Sequence, residues 1–282
     1  MKITFYTLLA LVAFAGNSIL CRLALGNEAI DAASFTSIRL LSGVVFLLFI
    51  FKLSNQKEQP ESKGSWVSAL MLFVYAITFS YAYISLETGI GALILFASVQ
   101  FTMVISSLVL GNKITALQWV GVTMAFLGFV YLVFPTLSTP SVTGFSLMLV
   151  AGIAWGFYTL LGSTSKNPLS DTLYNFSKTL PLVLVLLFFT VSQASFSSKG
   201  ILIAVIAGGI TSGMGYAIWY SVLTEISAIK ASVLQLSVPV ISALGGALFS
   251  DEAITIRLVI STAIIISGIL IVVLNKQTQA ST

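Results

Sequence analysis

Apolar residues run along this chain in ten long blocks, each parted from the next by a short polar stretch. None alternates with a period of two, which argues for helices rather than barrel strands. A helix needs about 20 apolar residues to cross the hydrocarbon core of a bilayer. Ten segments approach that length: Ile3–Leu25, Ala32–Phe51, Trp66–Leu86, Gly89–Leu110, Leu117–Phe134, Gly144–Gly162, Leu173–Val191, Ile201–Leu223, Ala228–Phe249 and Ile256–Leu274. Lipid offers no partner to a backbone N–H or C=O, so each span must satisfy its own hydrogen bonds as a helix. The expected fold is an all-α integral membrane protein of ten transmembrane helices. Very short joints at Glu87-Thr88 and Thr224–Ser227 force their flanking spans to run antiparallel.

The pattern also repeats. Leu9–Ala13 reads L-A-L-V-A and Leu147–Ala151 reads L-M-L-V-A. Arg39 follows F-T-S-I and Lys178 follows Y-N-F-S, while Ile114-Thr115 and Ile254-Thr255 each close a polar loop. All three pairs lie close to half of the 282 residues apart. The halves are expected over 1–135 and 144–276, five spans each. An odd number of spans turns the second copy over, and inverted repeats are common in secondary transporters.

Composition narrows the class. Hydrophobic residues make up 57% of the chain and charged residues 8%, against about 25% charged in soluble proteins. The lone Cys21 excludes an intrachain disulfide. The net charge of +4 resides mostly in loop lysines and gives no nucleic-acid signal. With the N-terminus in the cytoplasm, Lys2, Lys52, Lys57, Lys63, Lys113, Lys166, Lys230 and Lys276 share the cytoplasmic side, and Arg22, Lys199 and Arg257 the other. The positive-inside rule then puts both termini in the cytoplasm of a bacterial-type inner membrane. The first apolar run could pass for a signal peptide, but its full-length partner at 144–162 argues for a permanent span.

Polar groups inside a span need a reason. Arg39 and Lys178 are the membrane-embedded charges, and the default reading is that each snorkels to an interface; the other is that it faces substrate or braces the moving bundle. Pro239 is expected to kink its helix and release the carbonyl of Gln235, four residues back, and Pro181 to loosen that of Ser177. Mid-span polar and aromatic side chains include Asn17, Ser18, Ser98, Gln100, Trp155, Tyr158, Tyr75, Tyr81, Tyr216, Trp219 and Tyr220. Their rings and hydrogen-bonding tips suit the wall of a cavity for a polar substrate. Tyr83, near a span end, is expected in the interfacial belt. Gly209 and Gly213 form a G-x-x-x-G pair, with Gly208, Gly215 and Gly245-Gly246 as further close-packing positions.

Absences exclude other chemistries. There is no His, and no Asp or Glu sits well inside a span, so no metal, catalytic or cofactor site is expected. No P-loop points to nucleotide. A mid-span carboxylate for proton relay is missing as well.

The stretch A-S-F-T-S-I-R-L-L-S-G around Arg39, the stretch V-P-V-I-S-A-L-G-G-A-L-F-S-D-E-A-I-T at 238–255 and the two five-span halves resemble the EamA-like branch of the drug/metabolite transporter superfamily. The first half departs from the second stretch, with Val99-Gln100 in place of the proline and Gly111-Asn112-Lys113 in place of the acidic pair. The resemblance implies alternating access around a central cavity lined by spans one, three, four, six, eight and nine. Those spans carry Asn17, Tyr81, Gln100, Trp155, Tyr216 and Gln235, the expected substrate-binding residues. The expected activity is secondary transport of a small-molecule substrate across a lipid bilayer, most simply export of amino acids or other small polar or zwitterionic metabolites. A broad exporter of hydrophobic drugs and a lipid-handling bundle are the alternatives, and the chain leaves room for a homo-oligomer.

Overall fold

The computed structural model describes residues 2–54, 62–109, 115–133, 140–226, 231 and 234–279. Among these the protein is helical throughout, with one isolated β-bridge between Ile30 and Phe196. The first half is built from α1 (Lys2–Leu25), α2 (Ala32–Leu53), α3 (Trp66–Ala82), α4 (Thr88–Val109) and α5 (Ala116–Val133). The second holds α6 (Val142–Gly162), α7 (Pro168–Lys178) and α8 (Leu180–Thr190). It continues with α9 (Ser198–Ile206), a π-helical segment (Ala207–Met214), α10 (Gly215–Leu223), α11 (Val238–Phe249) and α12 (Ile256–Gln279). Six of these stretches are long and apolar enough to span a bilayer, and four shorter apolar helices fill the remaining spans. Together they make ten spans in two inverted five-helix repeats.

Small polar residues set the helix starts. Asp31, Ser65, Ser141, Asn167 and Ser197 each accept a hydrogen bond from a backbone N–H three residues on, at the first turns of α2, α3, α6, α7 and α9. Asn167 is followed by Pro168 at the first helical turn, where the missing N–H costs nothing. This cap starts span seven at Pro168, before the expected Leu173, because Pro168–Asp171 packs against residues 62–65 instead of facing water. Span three ends at Ala82 rather than Leu86, where Ser85 and Leu86 fold back onto the Ala82 carbonyl. Span eight begins at Ser198 rather than Ile201. Of the expected span Ala228–Phe249, residues 228–230 and 232–233 lie outside the described residues, as do Lys57, Leu110, 111–114, Phe134 and Lys230.

The helices pack as the repeat requires. α5 lies along α12, and α4 along α11. α3 and α4 both pack on α6, and their counterparts, the α9–α10 span and α11, both pack on α1. The symmetry breaks at α2, which packs closely on α9 and the π segment, whereas the counterpart contact of α7 with α3 is slighter. Glycine permits that close approach. A Cβ on Gly208 would collide with the backbone carbonyl of Arg39 and the hydroxyl of Ser42.

Candidate functional site

In α1, Phe14 and Asn17 sit three residues apart and so share a face, which turns into the bundle. Asn17 Nδ2 donates to Tyr75 Oη of α3 at 3.0 Å and to Tyr216 Oη of α10 at 3.3 Å. Its Oδ1 accepts from Thr211 at 3.4 Å and Ser212 at 3.3 Å, both in the π segment. The wider π turn brings Ser212 and Tyr216 to the same focus; such segments recur at functional sites.

Arg39 reaches this focus from α2. Its Nε donates to Ser212 Oγ at 2.9 Å, and its Nη2 to Tyr216 Oη at 2.7 Å and Tyr75 Oη at 3.3 Å. The guanidinium carbon lies 5.3 Å from the Tyr75 ring centre and 5.2 Å from that of Phe79, within cation–π range. Arg39 is 1% exposed and sits roughly 10 Å along α2 from its first turn. Snorkelling, the default expectation for this residue, is therefore wrong: the side chain turns inward because three polar partners and two rings receive it there.

Lys178 behaves differently. It is half-buried, and its Nζ donates to the backbone carbonyls of Lys63 at 2.7 Å and Gly64 at 3.2 Å, with the Trp66 ring centre 5.8 Å away. It ties α7 to the loop before α3. The repeat partners thus serve different places, Arg39 the buried centre of the bundle and Lys178 one end of it.

A second group adjoins the first. Trp155 Nε1 donates to Gln235 Oε1 at 3.1 Å, and Gln235 is fully buried. The Trp155 ring centre lies 4.6 Å from that of Tyr216, 4.9 Å from Tyr75, 5.3 Å from Phe14 and 5.4 Å from Tyr158. The helix carrying Gln235 is interrupted by a turn at Leu236-Ser237 before Val238 and Pro239 restart it. Gln100 is buried in α4, one turn beyond Phe96, whose ring is 6.3 Å from Phe14. In span seven, the break falls at Thr179, whose N–H turns back to the Phe176 carbonyl at 3.0 Å.

Five of the six expected binding residues, Asn17, Gln100, Trp155, Tyr216 and Gln235, thus lie in the buried middle of the bundle. Tyr81 does not join them. It is 36% exposed and borders a cleft of about 370 Å³ with Asp31, Thr190 and Gln193. Tyr75 takes the place instead, because six residues of helix rotate Tyr81 about 120° away. Tyr83, expected in the interfacial belt, is fully buried, edge-on to Phe79, and donates to the Thr88 carbonyl at 3.2 Å. Sequence reasoning did not single out Thr211, Ser212, Phe14 or Phe79. The four-residue spacing of Ser212 and Tyr216 was the available signal.

Both ends of the bundle are tied. At one, Arg22 Nε pairs with Glu252 at 3.1 Å, and Arg22 Nη1 donates to the Tyr83 and Ile84 carbonyls at 3.1 Å each. The other Glu252 oxygen accepts from Thr88 N–H at 2.7 Å. Asp31 accepts from the N–H groups of Ser34 and Ser195, each at 2.9 Å. Burial acts to raise its carboxyl pKa, but these bonds and one from Ala33 outweigh it and hold it below the usual range. Nearby Glu87 is pushed upward, by burial first and by the Glu252 charge second, against the pull of Arg22. At the opposite end, Asp171 accepts from Ser62, from Gly64 N–H at 2.8 Å and from Ser165 at 2.5 Å, and Asn175 from Ser65 N–H at 3.0 Å.

A polar and aromatic focus deep in a bundle of inverted repeats defines a multi-pass membrane transporter. The EamA-like transporter family matches twice, over residues 1–134 and 142–274, and the chain belongs to that family. An uncharacterised protein of Pseudomonas aeruginosa is 41% identical over 98% of this chain and 96% of its own. An uncharacterised transporter of Archaeoglobus fulgidus is 29% identical over 88% and 89%. A protein of Escherichia coli named a probable amino-acid metabolite efflux pump is 24% identical over 82% and 84%. A solved crystal structure superposes with a TM-score of 0.66 at 16% identity, over 98% of this chain and 99% of that one, a likeness of fold alone.

Proposed function

We propose that this protein exports small polar or zwitterionic metabolites, amino acids among them, across a bacterial inner membrane by alternating access, with both termini in the cytoplasm. One observation carries the reading. Asn17, Arg39 and Tyr75 from the first half hydrogen-bond with Ser212 and Tyr216 from the second, and the Trp155–Gln235 pair joins them through ring contacts of Trp155 with Tyr75 and Tyr216, in one buried cluster. A solute bound there touches both repeats, so movement of one against the other moves its access from one face to the other. The name of the Escherichia coli relative supports the amino-acid class. In this reading Asn17, Gln100 and Gln235 hydrogen-bond the solute, and Trp155, Tyr75 and Tyr216 wall it. The break at Leu236-Ser237, ahead of Pro239 in the first turn of α11, lets α11 rearrange around it.

The test is uptake into proteoliposomes by wild type, Gln235→Ala and Trp155→Ala. The reading expects saturable uptake that both substitutions weaken. Unchanged kinetics in well-folded variants would refute the site.

A further inference from the structure

We propose that the central cluster is a carboxylate site, with the Arg39 guanidinium as its anchor, so that a carboxylate is the obligatory recognition element of the solute and an amino group is not. This deepens the transport reading above and rests on it. Three observations converge.

The first is charge. Arg39 is 1% exposed, and every hydrogen-bond partner it has is neutral: Ser212, Tyr75 and Tyr216. The Arg22–Glu252 ion pair lies at one end of the bundle, away from Arg39, and every acidic side chain among the described residues lies in a loop or at a helix end. A buried cation without a counter-ion is costly, and a bound anion removes that cost.

The second is an open valence. Arg39 Nη1 is buried and has no hydrogen-bond partner among the described residues. Nε and Nη2 are occupied, so the free Nη1 edge remains for an incoming acceptor. Guanidinium–carboxylate bonds are among the strongest hydrogen bonds available to a small solute.

The third is the surroundings. Tyr75 and Tyr216 bond to each other at 3.0 Å and to Arg39, and their hydroxyls can reorient to donate to an arriving carboxylate oxygen. Trp155 and Phe14 present apolar ring surface beside them. Among the described residues no carboxylate stands there to receive an ammonium, so the solute's amino group gains little from the site. Free carboxylic acids are bound as well as their amino-acid counterparts.

The probes are phenylalanine, 3-phenylpropionate, phenylalaninamide and phenethylamine, with leucine and threonine and the amides of each. Each is tested as a competitor of amino-acid counterflow and for its shift of the melting temperature of the purified protein. The expected result is that the acids compete and stabilise, while the amides and the amine act about tenfold more weakly or worse. In Arg39→Gln the acids fall to the level of the amides, and Arg39→Lys, which keeps the charge without the fork, lies between. If Arg39→Gln does not fold, the acid-against-amide comparison in wild type decides alone. Amides or amine equal to the acids, or an acid preference that survives in folded Arg39→Gln, overturns the carboxylate anchor and leaves transport standing. No counterflow of any amino acid by folded, inserted protein overturns both.

Discussion

Single side chains carry the chemistry, and their loss has separable effects. Gln235→Ala leaves Trp155 Nε1 buried without its acceptor, a cost of about 1–3 kcal/mol. It should lower the melting temperature as well as transport. Tyr216→Phe removes one oxygen that accepts from both Arg39 and Asn17. It should weaken substrate affinity more than it changes stability, because Tyr75 Oη still accepts from both donors and the ring that packs on Trp155 is kept; equal apparent affinity in wild type and variant would refute that role. Residue type and depth were enough to place Asn17, Trp155, Tyr216 and Gln235 in the buried middle of the bundle, since a polar tip in mid-span is expensive without a partner. The choice between Tyr75 and Tyr81 was not legible. Both lie in one span, and only the rotation of α3, fixed by its packing on α6, turns one inward.

At the scale of elements, glycine and proline decide how the spans meet. Gly208→Val would drive a side chain into the Arg39 carbonyl and Ser42, which cannot move without shifting α2. Overpacking of this kind costs about 1–3 kcal/mol, and a fall in melting temperature with loss of transport is the expected readout. The ten apolar blocks were legible because the bilayer demands length and hydropathy. The π segment and the break at Thr179 were not, since both are settled by neighbours rather than by local sequence. Pro239 gave a local signal of its own, and its helix is interrupted three residues earlier. Charge at the Arg22 end has a pH signature. The folded protein raises the Glu87 pKa above its usual 4.5, so it binds a proton more tightly than the unfolded chain and is penalised by the ionised form at neutral pH. Glu87→Gln should therefore raise the melting temperature at pH 7, and the gain should vanish below pH 4.5, where both states are already protonated. A gain that persists there would show that charge is not its source.

Over the whole molecule, two halves of inverted topology meet in one buried cluster and are tied together at each end by different contacts. An Arg22–Glu252 ion pair fastens one end, and a set of bonds to Asp171, Asn175 and Lys178 fastens the other. The close packing of α2 on the π segment has only a slighter counterpart between α7 and α3. In the proposed alternating access, exchange of these unequal contacts between repeats is the route from one access state to the other. Releasing one end should bias the protein: Glu252→Gln weakens the Arg22 fastening and should raise labelling of a cysteine placed at Leu86, which is buried at that end, while labelling at Ser62 stays low. Equal labelling at both would mean that the ends are not coupled. The central claim, transport through a site built by both repeats, is tested most directly by counterflow of labelled amino acids in proteoliposomes of wild type and Gln235→Ala. Saturable counterflow in wild type, with a clearly weakened apparent affinity in the variant, is the expected result. A flat signal from folded, inserted wild-type protein, or identical kinetics in the two, would contradict it.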